Sequence, residues 1–350
     1  MKLRIAKARA LFDQYNIDAL LVINDTDIKY LCNYPASESW LLITPKKSYY
    51  LTDFRYFLEV KKGLKGAQPV LYKGSIFKSL FDLLEQEKIR RVGFNENHWN
   101  LLRFKQLQKD SPKKVKWVEA NTLVESLREI KDSDEIDLIK KGLRIHQKAL
   151  IYIKKYIKPG NSEQDVFNKL DAFVRAEKVG FSFRPIIASG PNSSYPHASV
   201  TTRKIKNNEP VLLDMGIDIN GYKTDLTRMF FLGRIPNLVR EIEAHVHEAQ
   251  QIAIASISDG VSIAEVDLKA RKYLESKKLA KYFGHSLGHG VGLDIHESPR
   301  LYYTNSKPLK AGMIVTVEPA VYLPNQFGIR LEEMILVKKK GCVILSGNVN

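Results

Sequence analysis

Apolar residues recur along the chain at two periods, and the alternation of those periods sketches the fold. Over residues 3–15 apolar positions fall at helical spacing, which predicts an opening helix. DALLVI (18–23) is a short continuous apolar run and reads as a buried strand. LLIT (41–44) and YYLT (49–52) read as two more strands joined by a turn at PKK. SIFKSLFDLLEQEKI (75–89) has the pattern of an amphipathic helix, and RVGF (91–94) and VKWVE (115–119) read as further strands. Strands interleaved with helices imply an α/β layer. This stretch shows no cluster of catalytic or metal-ligating residues.

The acidic residues of EIKDSDEI (129–136) mark a helix start, with Asp132 or Ser133 as cap and Glu135 in the first turn. A long helix should run to about Tyr156 and end at Pro159-Gly160. Asn161 and Ser162 introduce another, to about residue 178. From Phe181 to residue 235 short β-rich runs are punctuated by Gly, Pro and Asn. Helical stretches at about 236–257 and 263–277 follow, and glycine-rich sequence with more strands closes the chain. The expected division is a domain of residues 1–130 and a domain of residues 131–350, with no repeat at a solenoid period.

Composition narrows the function classes. A length of 350 residues suits two or three domains, and 44% hydrophobic with 27% charged residues is too apolar for disorder. The two cysteines, Cys32 and Cys342, stand far apart, which excludes a disulfide scaffold and a cysteine zinc site. Charges interrupt the apolar stretches of the N-terminus, and no other run approaches about 18 uncharged apolar residues. Neither a signal peptide nor a membrane partner is expected, and the expected compartment is the reducing cytoplasm. The net charge of +16 comes without a basic patch interleaved with aromatics, so it reads as a lysine-rich solvated surface rather than a nucleic-acid interface.

Chemistry gathers in the second half. In VLLDMGIDINGYKTDLTRMFFLG (211–233), Asn220-Gly221 between alternating runs is a strong hairpin signal. A two-residue turn sets Ile219 opposite Tyr222 and Asp214 opposite Thr227, with Asp225 as the diagonal neighbour of Asp214. Both carboxylates then share a face, within about 7–8 Å at the backbone. Two like charges at about 4 Å repel by roughly 4 kcal/mol at an effective dielectric near 20. A cation between them removes that cost; alternatively, one aspartate pairs with Arg228 or Arg330 and the other is solvated.

GHSLGHGVGLDIHE (284–297) brings three histidines among glycines that allow close backbone approach. It contains a decoy, since GHSLG fits the nucleophile elbow of serine hydrolases with Ser286 as nucleophile. That elbow needs a strand before it and a helix after it. The charged helical pattern before GHSLG and the GHGVG after it provide neither. IVTVEPAVY (314–322) reads as a strand with Glu318 on the face of Ile314 and Thr316, its ordinary ladder ended directly after Glu318 by Pro319, and GIRLEEMILV (328–337) as another carrying Glu332. A carboxylate among apolar neighbours needs a partner. One histidine and four carboxylates suggest two divalent cations, whose +4 balances the −4 of the carboxylates. Such a pair, roughly 3.5–4 Å apart, can activate a bridging water. Oxygen-rich ligation favours Mn, Mg or Fe over a zinc-type shell of nitrogen and sulfur.

At these residues the sequence resembles the proline-specific metallopeptidases, prolidase and aminopeptidase P. The resemblance rests on DMGIDINGYKTDLTR, GHGVGLDIHESPR, VEPAVY and IRLEE in that order. The steps are 11 residues from Asp214 to Asp225, 64 to His289, 29 to Glu318 and 14 to Glu332. It extends more loosely into the first half, as in LTDFRY (51–56). It implies a smaller α/β creatinase-like N-terminal domain followed by a pita-bread catalytic domain. It implies Asp214, Asp225, His289, Glu318 and Glu332 as ligands of two divalent ions, with Asp225 and Glu332 bridging. Manganese is the ion expected, with cobalt, zinc and iron as alternatives.

The resemblance further implies that Glu318 accepts the proton of the attacking water. His296 would contact the substrate carbonyl and His197 would be a second substrate-side histidine. Arg330 would orient a ligand carboxylate, and Arg300 would take a substrate carboxylate. The implied activity is hydrolysis of the Xaa-Pro bond at the N-terminus of peptides, as dipeptidase or aminopeptidase, by a homodimer. A broader aminopeptidase and a non-catalytic binding protein of the same fold are the alternatives. Two departures, GYKTD for the commoner GYxSD and EPAVY for EPGIY, put Thr224 and Ala320 beside the site without removing a ligand.

Overall fold

The structure, a computed structural model, describes residues 2–35 and 37–347. Two compact units divide between Arg128 and Glu129. The first runs α1 (Lys2–Ala10), α2 (Phe12–Tyr15), β1 (Ala19–Val22), α3 (Asp25–Cys32), β2 (Trp40–Ile43), β3 (Ser48–Thr52), α4 (Phe54–Gly63), β4 (Gln68–Leu71), α5 (Ile76–Gln86), β5 (Arg91–Phe94), α6 (Leu101–Asp110), β6 (Lys116–Glu119) and α7 (Leu123–Glu129). The single opening helix expected over 3–15 is broken at Leu11 and capped by Asn16 in the left-handed region. The strands form one mixed sheet in the order β4-β3-β2-β1-β5-β6. One of its cores gathers Trp40, Leu42, Leu51, Leu80, Leu84, Val92 and Leu107.

The second unit opens with α8 (Ser133–Lys154) and α9 (Glu163–Ala176). Asp132 caps α8 and Ser162 caps α9, each in a reciprocal capping box, with Glu135 and Asp165 as the returning side chains. After the short β7 (Gly180–Phe181) come β8 (Ile186–Ser189), β9 (Pro210–Met215), β10 (Ile217–Ile219), β11 (Tyr222–Lys223) and β12 (Leu226–Phe231). The hairpin register is the one the Asn220-Gly221 turn dictates: Ile219 pairs with Tyr222 and Asp214 with Thr227.

A second helix pair, α10 (Asn237–Ala255) and α11 (Ile263–Ser276), precedes β13 (Gly288–Gly290), β14 (Glu297–Leu301), β15 (Ile314–Val317), β16 (Ala320–Leu323), β17 (Phe327–Arg330), β18 (Glu333–Val337) and β19 (Cys342–Ile344). Two features differ from the strands expected here. Glu318 lies just past the end of β15, where Pro319 has no N–H to give a ladder. GIRLEEMILV is two strands rather than one, interrupted at Leu331-Glu332. β14-β13-β15-β18-β19 form a five-stranded sheet of this unit, and β12-β9-β8 and β11-β10-β7 two three-stranded ones. Helices α10 and α11 pack on Val315, Val317, Ile329 and Ile335, while α8 and α9 pack on Val211, Leu213 and Met215.

Candidate active site

The hairpin fixes the first two carboxylates. Asp214 sits within β9 and Asp225 immediately before β12, and both are buried. The chain turns between them at Gly216, where an added Cβ would stand 2.0 Å from the Thr224 carbonyl oxygen, so only glycine fits. Thr224 Oγ1 accepts the Ile217 N–H at 2.9 Å and lies 3.1 Å from His146 Nδ1. Burial pushes His146 down to about 3, so its imidazole is neutral. The methyl that distinguishes Thr224 from serine faces Gly142 of α8, which leaves it room.

The third ligand candidate lies on β13 between two glycines with no space for a side chain. A Cβ at Gly288 would meet the Thr316 carbonyl at 2.0 Å, and one at Gly290 the Ser298 carbonyl at 2.3 Å. His289 Nδ1 lies 3.1 Å from the Gly290 carbonyl oxygen, an acceptor, so Nδ1 carries a proton. Nε2 faces the carboxylates, 3.3 Å from Glu318 Oε1 and 3.6 Å from Asp225 Oδ2. Thr316 Oγ1 accepts the His289 N–H at 3.0 Å and donates to Glu318 Oε1 at 3.2 Å. Glu332, in the break between β17 and β18, accepts at Oε2 from Thr227 Oγ1 at 2.9 Å.

Arg330 holds several of these groups at once. It donates to Asp214 Oδ2 at 2.5 Å, Thr227 Oγ1 at 2.9 Å, Tyr322 Oη at 2.7 Å and the Pro196 carbonyl at 3.1 Å. One part of the salt-bridge alternative is thus realised, since Asp214 does pair with Arg330. Its other part is not, because Asp225 is buried rather than solvated.

The five candidates converge. Asp214, Asp225 and Glu332 form one group whose donor atoms lie within 4.8 Å of one another; His289, Glu318 and Glu332 form a second, and Asp225, His289 and His296 a third. Burial, reinforced by the neighbouring carboxylates, drives Asp225 and Glu332 well above the ordinary carboxylate range. Burial also raises Asp214, against the pull of Arg330. Glu318 moves the other way: burial opposes it, but the hydrogen bond and charge of His289 hold it down to about 2. Burial likewise opposes the imidazolium of His289, yet Glu318 more than offsets this and raises it.

Asp214 Oδ1 and Glu332 Oε1 are buried without a hydrogen-bond partner among the described residues. A buried carboxylate oxygen with no donor is costly, and a cation is what satisfies several at once. Four carboxylates and one imidazole nitrogen form a donor set suited to Mn2+, Fe2+ or Co2+. The residues therefore fit divalent ions.

The other expected site residues are placed unequally. His296 stands at the solvent edge with its ring edge-on to His289, centroids 4.3 Å apart. Partial burial lowers its pKa, and the charges of His289 and His197 act in the same direction. His197 is exposed in the loop whose Pro196 carbonyl Arg330 holds. Arg300 is not gathered into the cluster; it is exposed, with its guanidinium 4.9 Å from the centroid of the Tyr302 ring. Ser286 has neither a strand before it nor a helix after it, so no nucleophile elbow forms.

Tyr322, Thr227, Thr316 and His285 also serve the site, through bonds to Arg330, Glu332, Glu318 and each other. His285 Nε2 reaches Tyr322 Oη at 3.3 Å. The motifs DMGIDINGYKTDLTR, GHSLGHGVGLDIHE and IVTVEPAVY contain all four, but nothing in them marks these residues as partners of Arg330 and the carboxylates.

The description of metallopeptidase family M24 matches residues 137–339, and that of the creatinase/prolidase N-terminal domain matches residues 4–130. Over 97% of its length the chain is 30% identical to an Xaa-Pro dipeptidase of Pyrococcus furiosus, covering 97% of that protein. Among solved structures, an Xaa-Pro dipeptidase from Bacillus anthracis superposes with a TM-score of 0.95 at 32% identity, over 99% of this chain and 97% of that one. An X-Pro aminopeptidase from Thermotoga maritima gives 0.88 at 30% identity, over 96% and 97%.

Proposed function

The chain belongs to the proline-specific metallopeptidases of family M24, and from that membership we propose that it hydrolyses the Xaa-Pro bond at the N-terminus of peptides. The proposal assigns two divalent ions, manganese foremost, to Asp214, Asp225, His289, Glu318 and Glu332. The observation that carries it is the buried carboxylate cluster with two oxygens lacking a donor among the described residues. When bound, the ions supply an activated water and Lewis-acid polarisation of the scissile carbonyl.

The chain's own residues do the rest. Glu318, held ionised beside His289, accepts at its carboxylate the proton released when water attacks. The nitrogen of an Xaa-Pro bond carries no hydrogen, so it must gain that proton before the bond can break. Glu318 is placed to return it. His296, at the solvent edge and held below the ordinary histidine range, donates an N–H from a neutral ring to the carbonyl oxygen. His197 closes the substrate side. Arg330 holds Asp214 and the backbone before His197 in one bonded unit. Arg300, for which a substrate carboxylate is the proposed partner, would serve a dipeptide only by leaving its place over Tyr302.

Residues 1–130 are taken as the creatinase-like domain and 131–350 as the catalytic one, in a cytoplasmic homodimer. No helix among the described residues is long and apolar enough to cross a membrane. The test is a panel of Xaa-Pro and Xaa-Pro-Xaa peptides after manganese or cobalt loading. Metal-dependent release of the first residue is expected. Cleavage of dipeptides alone assigns a dipeptidase, cleavage of longer peptides an aminopeptidase, and no cleavage of either overturns the proposal.

A further inference from the structure

Helix α10 turns an apolar face toward the core: Val239, Ile242, Val246, Ala249, Ala253 and Ile254 are all buried. Gln250 is buried on the same helix, with only 3% of its surface exposed. A carboxamide costs stability in such surroundings unless its hydrogens are used. Both are: Nε2 donates to the Val317 carbonyl at 3.0 Å and to the Leu331 carbonyl at 2.8 Å.

Those two carbonyls precede Glu318 and Glu332 in the chain. Each lies where a strand stops. β15 ends at Val317, with Pro319 two residues on, and the chain is interrupted at Leu331-Glu332 between β17 and β18. The strands stop at the residues whose side chains enter the cluster, although the Val317–Glu318 peptide keeps one backbone bond, from the Glu318 N–H to the Leu287 carbonyl at 2.8 Å. Gln250 supplies the donors to both carbonyls from another element, and a single nitrogen ties the two together.

From this juxtaposition we infer that Gln250 is a positioning residue of the metal centre: its amide fixes the backbone from which Glu318 and Glu332 project, and so sets the spacing of two ligands it never touches. The role is specific to a carboxamide. Methionine keeps nearly the same volume without the donors, and glutamate would aim a carboxylate at two carbonyl oxygens. The inference rests on the two-ion reading of the cluster.

The test uses the full-length chain stripped with EDTA, titrated calorimetrically with Mn2+, and the visible spectrum of the Co2+-loaded protein. Gln250→Met should weaken Mn2+ binding by about 10–100-fold and alter the Co2+ spectrum. Gln250→Asn, one methylene too short to span both carbonyls, should do the same and serves if the methionine variant does not fold. Val246→Ala, on the same helix face, should lower the melting temperature yet leave Mn2+ affinity and spectrum unchanged. Wild-type binding in either Gln250 variant, or an equal loss in Val246→Ala, overturns the inference. If the wild-type chain itself binds no divalent ion, it is the two-ion reading that fails.

Discussion

Arg330 and Asp214 stand 116 residues apart in the chain, yet they meet in a buried bond of 2.5 Å that occupies only one oxygen of the carboxylate. The bonded oxygen fixes the rotamer, and the other, without a donor among the described residues, is left to face the cluster. Removing the arginine leaves a buried carboxylate beside other carboxylates without its cationic partner. Arg330→Ala should destabilise the metal-free protein by about 3–5 kcal/mol in urea unfolding. Arg330→Lys should recover part of that but not the bonds to Thr227 and Pro196, because an ammonium lacks the planar fork.

Metal removal should reverse the pH dependence of this region. Asp225 and Glu332 have folded values raised well above their ordinary 3.8 and 4.5. Above those values the unfolded chain has released protons that the metal-free folded chain still holds. Stability from these two groups therefore falls as pH rises from about 4 toward the raised folded values. Bound ions require both carboxylates ionised, so metal affinity rises with pH and binding releases protons. Melting of the EDTA-treated protein across this range, with Asp225→Asn as the variant that flattens the slope, checks the first statement. Calorimetry in two buffers of different ionisation enthalpy checks the second.

Separate roles for Glu318 and His296 should appear as separate kinetic signatures. Glu318→Gln should lose activity by about 10²–10⁴-fold as a proton acceptor and also weaken metal binding. His296→Ala should lower kcat while leaving metal content at the wild-type level, because its contacts are proposed to be with substrate. Metal analysis beside steady-state kinetics separates the two.

Gly142 gives a test of local packing. An alanine there normally stabilises a helix interior by roughly 0.5–1 kcal/mol. Here its Cβ would lie 2.9 Å from the Thr224 methyl and 3.2 Å from the Ile219 Cγ2. Gly142→Ala should instead destabilise by about 1–3 kcal/mol, as overpacking does. Thr224→Ser should recover most of that loss, and a double-mutant cycle of urea midpoints measures the coupling.

Much of this was legible in the sequence where local chemistry decides the outcome. The hairpin register follows from Asn220-Gly221, and the α8 boundary from Asp132 and Glu135. What escaped depends on contacts between distant segments. Thr227 bonds Glu332, Gln250 bonds the Val317 carbonyl and Tyr322 meets His285, each tens of residues away, and nothing at their own positions marks the pairing. The strand break at Leu331-Glu332 hides inside an apolar run that reads as continuous, whereas Pro319 marks the one beside Glu318.

The two helix pairs also share a sequence signal: Gly160-x-Ser162-x-x-Asp165-Val166 recurs as Gly260-x-Ser262-x-x-Glu265-Val266, each leading into the second helix of a pair, and Ser162 and Ser262 each form an isolated bridge, to Lys204 and Pro308.

The most direct measurement is an anomalous-difference map of a manganese-loaded crystal. The account predicts two peaks roughly 3.5–4 Å apart among Asp214, Asp225, His289, Glu318 and Glu332. Peaks elsewhere, or the five side chains closed on one another in salt links with no ion between them, would contradict it.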